Sequence, residues 1–226
     1  VKQCEAGAYV HELLEAWNVK EAVYAVTLDG KLHDLNYRIK KNGTLDYIYA
    51  DSETGKLIYE RSLNFLFIVA VRSLFPDARV RMEHALSGGQ YCEIDKAGYC
   101  KPQDVRKIER RMKELIAANE VIHRRVVPTA EAQAYFDRLG MKNKANLLAC
   151  RKSATSSIYT LCGYDDYFYG IMLPDTSYLT HFSIRFYAPG VWLSAGNGFQ
   201  NQAKLFHVFQ EFETWGRLIG VSNIAE

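Results

Sequence analysis

Apolar residues at Val10, Leu13, Leu14 and Trp17 recur at i, i+3, i+4 and i+7, which predicts a helix over 8–18 with one face on a core. Residues 20–28 (KEAVYAVTL) predict a strand, Asp29-Gly30-Lys31 a turn, and a short polar strand after it. Another strand follows Gly43 (TLDYIYAD), closed by Thr54-Gly55. Residues 60–75 are apolar on most faces and predict a core helix that Pro76 stops. Residues 78–95 read as two strands joined at Ser87-Gly88-Gly89. Pro102 suits the first turn of the next helix and Asp104 its positive end. Val105, Ile108, Met112, Leu115 and Ile116 share one side of that helix, with Arg106, Lys107, Arg110 and Arg111 largely on the other. A strand over 121–127 ends at Pro128, and Thr129 is placed to cap a helix that stops before Gly140. Strands 156–162 and 181–187 flank the segment GYDDYFYG. Leu205, Phe206, Phe209, Phe212, Trp215 and Ile219 form an apolar stripe that predicts a final helix over 203–218.

Composition narrows the class without naming an activity. The chain has 226 residues, 48% hydrophobic and 24% charged, enough for one large domain or two modest ones. A net charge of +2 excludes both a strongly basic nucleic-acid binder and an acidic solvating tail. The most apolar run, LNFLFIVAV at 63–71, is too short for a hydrocarbon core, which needs about 20 residues. VKQCEAGAYV carries neither a hydrophobic signal region nor an initiator methionine, as in a trimmed chain. Cys4, Cys92, Cys100, Cys150 and Cys162 are odd in number with no CxxC pair, which points to reduced thiols in a cytoplasm.

Familiar chemical signatures are missing. A phosphate loop needs GxxxxGK[ST], but Gly55-Lys56 is followed by Leu57 and preceded by Ala50 where the first glycine belongs. Gly196-Asn197-Gly198 continues to Asn201, so the dinucleotide fingerprint fails too. The six histidines form no HxxxH or HExxH pair, and Ser87-Gly88-Gly89 is not a GxSxG elbow. Cys92 sits in an alternating strand and reads as a small buried thiol. Two features remain. YDDYFYG places two carboxylates among aromatics, as in a pocket wall or a sheet edge ending in a turn. The basic helix face is either a phosphate contact or a solvated surface.

The blocks RSLNFLFIVAVRSLFPDARV, SGGQYCEID, KPQDVRKIERRMKELIAANEVIHRRVVP, EAQAYFDRLGMKNKANLL and DYFYGIMLP occur in that order between residue 58 and about 200. Together they resemble the editing-type domain that follows the TGS domain in bacterial threonyl-tRNA synthetases. VYAVTLDGKLHDLNYRI resembles a TGS domain of β-grasp type without its first strand. The resemblance implies an α+β fold: a β-grasp domain over 1–57, an editing-domain-like (second additional domain) α+β domain over 58–202, and a helix and linker over 203–226. The family's two editing histidines fall on Arg61 and Phe65, its cysteine on Phe168 and its last histidine on Met172, whereas Asp166 and Gly170 match. Phenyl and thioether groups do no acid–base work, so the resemblance implies no catalytic residue and no metal ligand in this chain.

A second resemblance rests on R-S-L-x-F at 61–65, YCEID, GYDDYFYG-x-M-x-P and the ending QAKLFHVFQEFETWGRLIGVSNIAE. These are similar to bacterial uridine-kinase-like nucleoside kinases, in which such domains precede a P-loop domain. That resemblance implies a non-catalytic sensing or positioning region with a C-terminal kinase domain in cis as partner, and ATP with Mg²⁺ in that kinase. The expected small-molecule cleft comprises Arg61, Asn64, Phe65, His84, Asp166, Phe168, Tyr169 and Met172, with Arg61 pairing Asp166 or meeting an anionic ligand. The rival readings are an editing hydrolase acting on mischarged tRNA and an RNA-binding module using the basic helix. All of them are cytoplasmic readings with no membrane partner.

Overall fold

The computed structural model describes residues 2–86 and 88–196, so the helix expected over 203–218 lies outside the described residues. The fold is mixed α+β, with antiparallel sheets and five α-helices among the described residues. The described residues divide into two compact units, residues 2–65 with 118–178 and residues 66–117 with 179–196.

In the first unit, β1 (Lys2–Cys4), β2 (Val23–Leu28), β3 (Lys31–His33) and β4 (Gly43–Tyr49) form a sheet in the order β1-β4-β2-β3. Asp29 and Gly30 both adopt positive φ between the paired residues Leu28 and Lys31, as expected of a two-residue hairpin turn. Helix α1 (Val10–Ala16) is shorter than its pattern predicts. It buries Val10 fully and packs Leu13, Leu14 and Trp17 against a core of Val26, Leu28, Leu35, Ile39 and Leu45. Burial of Leu35 and Ile39 contributes on the order of 1.5–3 kcal/mol each and anchors the irregular segment 34–40.

A second sheet of this unit joins β7 (His123–Pro128), β8 (Thr155–Leu161) and β9 (Tyr164–Tyr167) in that order. Helices α4 (Thr129–Arg138) and α5 (Lys142–Ala149) bury Ala132, Phe136, Ala145 and Leu148 with Ile158 of β8. Thr129 does not cap α4: Pro128 occupies the N-cap position, and the Thr129 hydroxyl instead donates to Ser153 O at 2.7 Å.

Helix α2 (Glu53–Leu74) starts seven residues earlier than its pattern predicts and ends two residues before Pro76. Thr54-Gly55 therefore opens this helix and does not close β4. The boundary between the two units falls within α2.

In the second unit, β5 (Arg79–Leu86), β6 (Gly89–Asp95), β10 (Ser183–Tyr187) and β11 (Gly190–Ser194) form a sheet in the order β10-β11-β6-β5. Helix α3 (Pro102–Ala117) packs on β10 and buries Val105, Ile108, Met112 and Leu115, as its periodicity predicts. Asp104 accepts from Lys101 N and pairs with Lys96 at 3.0 Å. Cys92 is fully buried, and burial pushes its thiol up to about 12, consistent with an inert packing group. All five cysteines are free thiols. No described helix is long and apolar enough to cross a membrane.

Candidate functional site

The first unit brings together most of the residues that the sequence singled out. Arg61, Asn64 and Phe65 lie one turn apart on α2 and share a helix face. The segment 168–173, which follows edge strand β9, runs beside that face. Phe65 is fully buried and its ring centroid stands 5.3 Å from that of Phe168. Ser62, also fully buried, donates to Ile58 O at 2.8 Å and accepts from Leu173 N at 2.9 Å, so a single hydroxyl pins this segment to α2. Met172 is 2% exposed.

Arg61 does not pair with Asp166. Its Nη1 donates to Ile171 O, and the guanidinium lies flat against Gly170. Gly170 has φ +97°, a backbone conformation that favours glycine, and a Cβ there would also stand 2.8 Å from Arg61 Cζ and push the guanidinium aside. The Tyr159 hydroxyl donates to Gly170 O at 2.6 Å, and burial pushes that hydroxyl up to about 12. Burial lowers the pKa of Arg61 from the ordinary arginine value, the signature of a cation partly removed from water.

Asp166 is completely buried, and its partner is Lys144 of α5, a residue that no motif pointed to. Oδ1 takes the Lys144 ammonium and also accepts from Tyr167 N, whereas Oδ2 is buried without a hydrogen-bond partner among the described residues. The neighbouring carboxylate, Asp165, instead collects Thr160, Tyr135 and Arg125. Tyr169 is 75% exposed, with the Arg151 guanidinium 5.1 Å from its ring centre. His84 belongs to the second unit, on β5, where its ring stands 5.3 Å from Tyr91.

The chemistry available follows from these groups. A guanidinium hydrogen-bonded to a backbone carbonyl, two phenyl rings and a thioether can shape and desolvate a cleft, but none of them transfers a proton near neutral pH. Among the described residues no group of three His, Cys, Asp or Glu side chains is arranged to hold a metal ion.

No protein-family model matches the chain. A threonine–tRNA ligase of Pelobacter propionicus is 33% identical over 172 residues, covering 76% of this chain and 27% of the ligase. The threonine–tRNA ligase of Saccharophagus degradans is 32% identical over 178 residues, 78% of this chain and 28% of the ligase. That of a Geobacter species is 30% identical over 206 residues, 90% of this chain and 32% of the ligase. The chain thus spans between a quarter and a third of the length of the curated relatives it matches. These relatives correct the kinase expectation. The relatives that cover 76–90% of the chain are tRNA ligases, which overturns both the uridine-kinase context and the P-loop kinase domain as partner in cis. The expected ATP and Mg²⁺ belonged to that context.

Proposed function

We propose that this chain is a tRNA-recognising module related to the N-terminal region of threonine–tRNA ligases, with an editing-type cleft that recognises and does not hydrolyse. The observation that carries the reading is the side-chain set at that cleft. Arg61 is engaged by Ile171 O, Phe65 packs on Phe168, and Met172 is buried with them, where the resembled family uses imidazoles and a thiol. Asp166, with one oxygen unpartnered, is the polar anchor of the cleft, and Lys144 fixes its charge. Asn64 shares the α2 face of Arg61 and Phe65, and the reading gives His84 and Tyr169 no role. The sheet β1-β4-β2-β3 with α1 is read as a β-grasp domain lacking its first strand, and the setting as cytoplasmic.

The test measures binding and turnover together. Purified chain is titrated against unmodified tRNA over a salt series, and seryl-tRNA is followed for loss of its ester. The expected result is binding that weakens steeply as salt rises, because phosphate contacts release counterions. Deacylation stays at the protein-free rate. Faster deacylation, or no tRNA binding at low salt, refutes the reading.

A further inference from the structure

A groove of about 820 Å³ lies within the first unit, apart from the Lys144–Asp166 pair. One wall is β3 with the segment 34–40, the other is β7, and the buried residues Tyr159, Met172 and Leu173 line its base. Its volume is that of a pocket for a ligand of nucleotide size.

The charge in this groove is one-sided. Lys31, Arg38, Lys40 and Arg124 line it, against the single carboxylate of Asp34. Asp34 is already bound to Arg124, Oδ2 to Nη1 at 2.9 Å, which leaves three cations uncompensated. Neither Lys31 nor Lys40 has a carboxylate within salt-bridge distance among the described residues, and Arg38 commits only its Nε, to Gly7 O at 3.1 Å. For a chain whose whole net charge is +2, three excess positive charges in one concavity mark a local attraction for anions.

Aromatic faces accompany that charge. The rings of His33 and Tyr37 stack with centroids 3.7 Å apart, and those of Tyr9 and His11 at 5.5 Å. A solvated lysine patch would have neither stacked rings nor an apolar base. Cations beside flat π-faces are the combination that holds a base and its phosphate together.

We infer that the groove between β3, the segment 34–40 and β7 is a binding site for a nucleoside phosphate, with phosphate oxygens on Lys31, Arg38 and Lys40 and the base against the Tyr37–His33 stack. The same chemistry is presented by a free mononucleotide and by a nucleotide within single-stranded RNA.

The groove shares Met172 with the cleft, but its cations and ring stacks lie outside that cleft, and the experiment separates the two readings. The full chain is titrated at low salt with adenosine and uridine 5′-monophosphates, with a labelled unstructured RNA hexamer, and with inorganic phosphate. The Lys31→Glu/Lys40→Glu double variant and Tyr37→Leu are measured alongside, their fold checked by circular dichroism. Lys31 and Lys40 are exposed side chains, so the double variant is expected to melt with the parent. Binding of a mononucleotide or the hexamer that falls at least about ten-fold in the charge-reversed variant, and about ten-fold in Tyr37→Leu, supports the site. Mononucleotides that bind as tightly as the hexamer identify a free nucleotide as the ligand, and binding of the hexamer alone identifies RNA. The inference is overturned if neither probe binds, if charge reversal leaves binding unchanged, or if inorganic phosphate binds as tightly as the nucleotides. Should tRNA bind the parent and the charge-reversed variant equally while nucleotides bind neither, the groove assignment falls and the tRNA reading survives.

Discussion

The Lys144–Asp166 pair offers the sharpest test of the cleft. Asp166 has no exposed surface, whereas the Lys144 side chain is 29% exposed. Removing the lysine strands a buried carboxylate whose second oxygen already lacks a partner among the described residues. Breaking a buried pair from one side costs about 3–5 kcal/mol, and the partial exposure of Lys144 places Lys144→Met near the lower end, about 3 kcal/mol. For a chain of this size that is a fall of roughly 6–12 °C in Tm. Asp166→Asn is milder, because the amide oxygen still accepts from Tyr167 N and the freed ammonium reaches water. Its cost is about 1 kcal/mol. The double variant should match Asp166→Asn alone, which leaves a coupling energy of about 3 kcal/mol in magnitude. Urea denaturation followed by far-ultraviolet circular dichroism supplies all four corners of the cycle. A Lys144→Met loss under about 0.5 kcal/mol, or losses that simply add, would refute the argument that Asp166 is a buried charge held by Lys144.

Two further outcomes follow from the same region. Gly170→Ala forces a Cβ to within 2.8 Å of the Arg61 guanidinium at φ +97°, and should destabilise the chain by about 1–3 kcal/mol in the same denaturation assay. An unchanged midpoint would mean that Arg61 swings away freely. Burial pushes the Asp165 carboxyl up, but hydrogen bonds from Thr160, Tyr135 and Arg125 outweigh it and hold the group below the ordinary aspartate range. A lowered carboxylate contributes stability that is complete above its unfolded pKa of about 3.9 and is lost as pH falls through the folded value. Asp165→Asn should therefore flatten the loss of stability below about pH 4, and an acid limb identical to the parent's would remove Asp165 from it.

What was legible in the sequence is what repeats locally. The stripe of α3 and the Asp29-Gly30 turn are short-range patterns, and the structure forms both where they stand. The sequence pattern places the start of α2 too late, because Gly55 resembles turn punctuation. The residue is glycine for another reason: a Cβ there would meet Tyr49 O at 2.0 Å. Helix α5 buries only Ala145 and Leu148, too few positions for a period to show. Every residue of β11 is buried, so it lacks the alternation that marks a half-buried strand. At the cleft, a family pattern located Arg61, Phe65, Asp166, Phe168 and Met172. Lys144 was invisible because an ion pair between a helix and a strand 22 residues away leaves no local trace.

The clasp formed by Ser62 and Leu173 joins positions 111 residues apart, and Arg61 meets Ile171 over almost the same span. During synthesis the apolar face of the first half of α2 must therefore wait for its cover. At about 5–20 residues per second, ribosomes need on the order of 5–20 s to deliver it. For that interval Phe65 and its neighbours emerge uncovered on the nascent polypeptide, which makes this stretch a natural station for a holding chaperone and the place where stalled translation would leave a sticky fragment.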